Sequence, residues 1–456
     1  MQSAKSIMFS SIKRYSAKII CTTLLFSAFQ ANAQNNSPYS RYGLGDLVPT
    51  TNVVNRAMGN ISVAYSDFLT SNFNNPASYS SFRTFLEDKS KKPVSGRVLL
   101  DAGINIESRT LRNPNQPEKF SSTYANFSYL QLGIPLRNNW GLSFGLRPVS
   151  KIKYKVSRRE LLFENELNDS AYTEFDGEGG TFLPTIGTGF AIKNLSLGVN
   201  MGYMFGNKEF SSTRSVFNDS AVYNTSKHST SSSFGDLFFN AGAQYLVKLS
   251  KQTSLRLGLA GNWKQNLGAT QDITVQTVVP NANIGVAIQD SVYEQKGIKG
   301  DIVFPSSYTA GFVLQRTKAK GDGWLLGAEL MQSKWSEYRF FGQVDSVQDS
   351  WQFRVGGQIR PEPTRNYFSN VTYRAGFYFG PDYVNVGSDL PQYGITFGLG
   401  LPIAPSRLSP YQYTIINLAL EYAKRGNNDN SLKENLFKIS LGLNFSDLWF
   451  NKRRYE

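Results

Sequence analysis

From about residue 96 the chain alternates between apolar and small polar residues. The clearest run is Leu195-Ser196-Leu197-Gly198-Val199-Asn200-Met201-Gly202-Tyr203-Met204-Phe205-Gly206, with Leu, Val, Met, Tyr and Phe falling mostly on one face. A period of two over that length predicts a β-strand with one apolar face. Trp140 to Leu146, Leu255 to Trp263 and Phe437 to Phe445 repeat the pattern. Fourteen strands can be drawn, starting near Arg97, Ser121, Trp140, Thr181, Leu195, Phe234, Ser254, Phe304, Trp324, Trp351, Val371, Gln392, Tyr411 and Asn435. Their connections alternate. Short ones fall at 137–139, 193–194, 250–252 and 318–323, and longer polar ones at 156–180, 207–233, 267–303 and 424–434. The rhythm blurs at 361–370 and 403–410, where both connections carry proline. Short turns on one side and long loops on the other predict an all-β fold: a transmembrane antiparallel β-barrel of about 14 strands, with the apolar face toward lipid. An even count leaves both ends of the barrel in the periplasm. A soluble sandwich, with the same face turned to a core, is the competing architecture.

Residues 34–94 lack this alternation. They are rich in Gly, Asn and Ser and lead into a charged connector at 87–93. Within them stands Ser71-Asn72-Phe73-Asn74-Asn75-Pro76-Ala77-Ser78-Tyr79. Asn-Pro by itself is a turn signal. Its position ahead of the first strand marks residues 34–94 as an N-terminal plug, or hatch, inside a barrel formed by 95–456. Asn75, Pro76 and Ala77 are the plug motif. Phe73 and Tyr79 are candidate gate contacts, the simpler alternative being that they pack the hatch in place.

Composition locates the barrel. Residues 1–33 read as a signal peptide: Lys5, Lys13, Arg14 and Lys18, an apolar run at 19–29, and the cleavage pattern Ala31-Asn32-Ala33. The only cysteine, Cys21, lies in that run, so the mature chain carries none and forms no disulfide. The bulky Ile20 before Cys21 argues against acylation. Removing four basic residues takes the net charge from +14 to +10. An exported basic protein meets little nucleic acid, and anionic lipid or lipopolysaccharide is the better-matched partner. No apolar run after residue 33 is long enough for a spanning helix, so a membrane location requires a closed barrel. The six tryptophans, Trp140, Trp263, Trp324, Trp335, Trp351 and Trp449, fall near predicted strand ends, where a half-wet ring suits the membrane interface.

Catalytic chemistry is poorly supplied. His228 is the only histidine and sits in a polar stretch read as a loop. One histidine and no mature cysteine remove the common zinc spacings and most nucleophilic triads. Asp176-Gly177-Glu178-Gly179-Gly180 lacks the spacing of a calcium or phosphate loop and reads as a glycine-rich hairpin loop. The reading is a non-enzyme without cofactor or metal. The basic tail 451–456 follows Phe450, a candidate element of the terminal aromatic signal for barrel insertion.

Several stretches, taken in order, resemble the FadL-type outer-membrane transport family and its Bacteroidota relatives. They are Asn55-Arg56-Ala57-Met58-Gly59-Asn60-Ile61-Ser62-Val63-Ala64 followed by Asn75-Pro76-Ala77, then Phe304-Pro305-Ser306-Ser307-Tyr308, Lys334-Trp335-Ser336-Glu337-Tyr338 and Arg354-Val355-Gly356-Gly357-Gln358-Ile359-Arg360-Pro361. The resemblance implies a 14-stranded barrel with an N-terminal hatch in the outer membrane of a Gram-negative bacterium. It also implies passage or binding of hydrophobic small molecules such as long-chain fatty acids. The alternative within the same resemblance is a non-transporting, PorV-like barrel whose partners are secretion-system proteins.

Overall fold

The computed structural model describes residues 37–86, 93–162, 170–217, 223–281, 285–404 and 412–449. The signal peptide, Cys21, Phe450 and the basic tail lie outside them. Fourteen barrel strands follow one another around a closed antiparallel ring. They are β1 (Pro93–Arg112), β2 (Lys119–Arg137), β3 (Trp140–Leu161), β4 (Ser170–Ile192), β5 (Leu195–Phe217) and β6 (Thr225–Lys248). Next come β7, in two stretches (Thr253–Asn262 and Gln265–Asn281), and β8, likewise (Gly285–Phe304 and Ser307–Thr317). The ring continues through β9 (Gly323–Ser333), β10 (Ser350–Arg360), β11 (Thr372–Asn385), β12 (Asp389–Ile403), β13 (Tyr413–Arg425) and β14 (Lys433–Trp449). It closes where β14 pairs with β1, from Lys433 opposite Arg112 to Trp449 opposite Gly96.

The strand periodicity fixes which way the wall faces. Along β5, Leu195, Leu197, Val199, Met201, Tyr203 and Phe205 are exposed on the outside, while Ser196, Asn200 and Met204 are buried inside. A barrel strand needs about 9–11 residues to cross the hydrocarbon layer, and 195–205 matches that span. Trp140, Trp324 and Trp449 stand at the end of the ring that carries the short turns, and Trp263 and Trp351 stand toward the other end. These five are exposed and form two girdles. Trp335 corrects the expectation. It is 3% exposed and packs 4.2 Å from the ring of Tyr383 inside the barrel, in a 3-10 turn after β9.

The long polar connections also need correcting. Most of 170–180, 207–217, 225–233 and 267–303 is strand, because β4 to β8 continue well past the apolar band. Gly177 and Gly179 lie in β4, and His228 lies exposed on β6 opposite Ser212 and Val275. At ~3.3 Å per residue, 206–217 adds about 40 Å of strand beyond Phe205. The strands β9 and β10 stop at 11 residues each. The barrel therefore carries a raised wall on one side of its outer mouth.

The wall has one discontinuity. The β2 strand pairs with β3 only from Leu130 opposite Leu146 down to Arg137 opposite Trp140. Beyond that, β2 stays with β1 and β3 stays with β4, and the two pairs part.

Candidate functional site: the plug and its seat

Residues 37–86 occupy the lumen. They begin at the outer end, where the Ser37 amide donates to Lys153 O (3.0 Å) on β3. They finish at the inner end, where Thr84–Leu86 pairs with the start of β1. The described segment descends from the outer mouth to the inner end.

The plug motif lies near the inner turns. The Asn75 side chain caps the 3-10 turn Pro76–Ser81 by accepting from the Ala77 amide (3.1 Å). Its amide group donates to Val63 O (2.6 Å) and to Ala243 O and Leu259 O (both 3.3 Å) on β6 and β7. One fully buried residue thus ties the two arms of the plug to each other and to the wall. Proline is well placed at the first position of that turn, where its missing N–H is not needed. Ala77 is fully buried. Phe73 packs 5.3 Å from the Tyr129 ring, and its carbonyl accepts from Asn200 (3.2 Å). Tyr79 stacks on Phe82 at 5.7 Å. The structure brings all five residues against the wall. Asn75→Ala is expected to cost about 1–3 kcal/mol, since the buried Ala77 amide loses its side-chain acceptor and Val63 O keeps only Gln244 as a side-chain donor. A lower urea midpoint for the detergent-solubilised protein checks this, and an unchanged midpoint would refute it.

A belt of glycines receives the plug. A Cβ on Gly141, Gly189 or Gly198 would overlap the backbone of Tyr79 or Pro76, and on Gly242 the Asn75 side chain. On Gly258 it would meet the Val63 carbonyl, on Gly356 and Gly376 the backbone of Met58 and Gly59, and on Gly398 the Ala57 methyl. Gly442 faces Val53, Gly327 faces Ile61 and Gly133 faces Phe82. Taken around the ring, the plug residues in contact run from Val53 at β14 to Phe82 at β2. The plug winds once around the inside of the wall at the height where the side chains have been removed. Gly59 adopts φ +66°, which glycine accepts at no steric cost, and its amide donates to Thr396 (2.8 Å).

Buried polar groups complete the seat. Glu329 Oε2 accepts from the amides of Ser62 (2.7 Å) and Val63 (2.8 Å), and Oε1 pairs with Arg354 (2.9 Å). Arg56 donates to Asn105 (2.9 Å) and Ser128 (2.7 Å). The Val53 amide donates to Tyr129 (3.1 Å), whose hydroxyl donates to Asp101 (2.8 Å).

At the outer end the plug closes the gap between β2 and β3. Asp46 and Leu47 pair with Lys151 and Ser150 of β3, and the Val48 amide donates to Val149 O (2.9 Å). Leu47 is 39% exposed. Asp46 carries the ionic latch: it pairs with Arg109 (3.0 Å) and Arg425 (2.9 Å). Arg109 also meets Glu434 (2.7 Å), and Arg425 meets Asp382 (2.9 Å). Burial works against ionisation of Asp46, yet Arg109 and then Arg425 hold its carboxyl below the usual range.

A cavity of about 280 Å³ lies beside this latch. One wall is apolar, with Val149, Met204, Phe238, Phe304 and Trp335, and the other carries Glu107, Arg109, Arg147, Lys151 and Arg425. The glycine belt and the latch were not read from sequence. The signal for the belt was present, since a glycine recurs at inward positions on most strands. The latch joins residues hundreds of positions apart and left no local pattern.

The fold is shared with solved hydrocarbon channels and transporters. The Pseudomonas putida toluene transporter TodX is 14% identical, with 90% of this chain and all of that one covered and a TM-score of 0.51. The CymD monoaromatic hydrocarbon channel is 13% identical, over 88% of this chain and 98% of that one, with a TM-score of 0.50. A Pseudomonas aeruginosa FadL homologue is 13% identical, over 89% and 98%, with a TM-score of 0.49. No curated protein sequence matches significantly. The family BamG matches residues 12–456, almost the whole chain, and the chain accordingly belongs to the BamG family.

Proposed function

We propose that this chain is a sealed outer-membrane barrel that serves a larger protein assembly, docking proteins concerned with secretion or surface attachment, and that it does not conduct solutes. The observation that carries this reading is the seat of the plug. Its backbone touches the wall on strand after strand through glycine, and its outer end is held by buried ion pairs. Moving the plug would strip partners from several buried charges at once, which is costly. The raised wall offers surface for partners outside the membrane.

Uptake of hydrophobic small molecules, long-chain fatty acids among them, is the second reading. It is favoured by the apolar cavity wall standing just behind the β2–β3 gap, where Leu47 looks out. One pair of measurements separates the two. Under the docking reading, vesicles carrying the protein take up fatty acid and toluene no faster than empty vesicles. A tagged chain extracted gently from its own membrane brings down a stoichiometric outer-membrane complex. Uptake several-fold above background together with monomeric extraction would reverse the assignment.

A further inference from the structure

The raised wall turns its polarity inside out. Within the membrane band the outward residues of β4 to β6 are apolar. Above it most are polar or charged: Glu174, Asp176 and Glu178 on β4, Glu209 and Ser211 on β5, Ser229 and Ser231 on β6, with Tyr172 and Phe217 the apolar exceptions. Lys153 and Lys155 on β3 pair with Glu178 (2.6 Å) and Glu174 (2.8 Å) on that outer side.

The inward face, turned toward the barrel mouth, sets an apolar patch among its polar residues. Val156 and Phe175 stand directly opposite each other on β3 and β4, at 37% and 39% exposure. On the same face, Phe210 on β5 and Ile273 and Val275 on β7 are partly exposed. Apolar side chains pointing into water on a concave sheet face are the signature of a surface meant to be covered. Lipid cannot cover them, because the outer side of the same strands at this height is charged.

The charges are sorted too. The inward face carries Arg158 and Arg214 over the buried Thr173, with Arg41 resting 4.7 Å over the Phe210 ring at its base. Its acids are Glu160, bridged to Arg158 (2.8 Å) and Arg214 (3.9 Å), and Asp290 on β8, in the row of Arg214 through Ser226 and Thr277. Three guanidinium groups thus face two carboxylates, while Glu174, Asp176, Glu178 and Glu209 lie on the outer side.

We infer that the concave face of this raised wall is a docking surface for an acidic segment of a partner protein with apolar anchors, seated over the barrel mouth from the cell exterior. The partner's apolar residues cover Val156, Phe175 and Val275, and its carboxylates engage Arg158 and Arg214. This inference rests on the docking reading above and gives that reading a face and a partner chemistry.

The test uses the full chain in its own outer membrane. A benzophenone side chain is placed in turn at Phe175 and Val275 on the concave face, and at Tyr172 and Thr274 on the outer side. The expected result is a discrete protein adduct from the two concave positions only, whose cross-linked peptide, identified by mass spectrometry, is net acidic. Adduct yield should fall at least tenfold when Arg158→Glu and Arg214→Glu are added, with the heat-dependent gel shift of the folded barrel unchanged. Equal adducts from both faces, a basic cross-linked peptide, adducts with lipopolysaccharide alone, or no adduct would each overturn the inference. Co-purification with a partner complex that survives Arg158→Glu and Arg214→Glu would leave the docking reading standing and remove this face from it.

Discussion

Replacing Gly189 and Gly376 with valine is expected to unseat the plug while the barrel stays folded. A Cβ at Gly189 would overlap the carbonyl of Pro76, and one at Gly376 would overlap the backbone of Met58 and Gly59. These are backbone atoms, so no side chain can swing aside to make room. Overpacking of this kind costs roughly 1–3 kcal/mol per site. The two sites lie on β4 and β11 and touch different arms of the plug, so their costs should add. The wall itself is not penalised, because valine suits a strand better than glycine does. In a planar bilayer the wild type should stay closed. The double variant should show steady conductance approaching that of a chain lacking residues 37–83. A double variant as silent as the wild type would mean that the belt does not position the plug.

That belt also shows what can be read from sequence here. The alternation that predicts a lipid-facing strand is set by neighbours two residues apart, so strand number, order and membrane face follow from it directly. Eleven of the fourteen expected starts fall within four residues of the observed ones, for example Trp140 and Leu195, which coincide. The misses cluster at β4, β6 and β8, where hydroxyl-rich strand continues above the membrane. Runs such as Ser226 to Ser233 hold no apolar residue to reveal a period, and their pairing is set by the neighbouring strand. The plug motif was visible as a turn, and its capping by Asn75 is local. What the turn rests against is not local. Asn75 reaches Ala243 and Leu259, and Glu329 reaches Ser62, through closure of the ring. By its position along the strand pattern Trp335 fits a girdle. Its burial depends on Tyr383, brought across the lumen by a different part of the wall.

The ionic latch yields the second large effect. In an Arg425→Leu variant, Asp46, Asp382 and Glu434 lose a shared partner while remaining buried, and only Arg109 is left to two of them. Breaking a buried pair by removing one member costs about 3–5 kcal/mol. The loss falls on the part of the plug held by that pair. Residues 37–48 should detach from β3, opening the gap that Asp46 and Leu47 cover, while the glycine belt keeps 53–82 in place. Hydrogen exchange reads this directly: amides in 37–48 should exchange at least 100-fold faster in the variant, with those of 53–63 little changed. The wild type should show the same release only in acid. The Asp46 carboxyl is held below its usual range, so its contribution is fully present above the unfolded value of about 3.9 and is lost as pH falls through the lower folded value. Exchange in 37–48 should therefore remain slow, apart from the intrinsic pH dependence, from pH 7 to pH 5, and rise only below about pH 4. A rise already complete at pH 5 would show that Asp46 is not the group that holds the outer end of the plug.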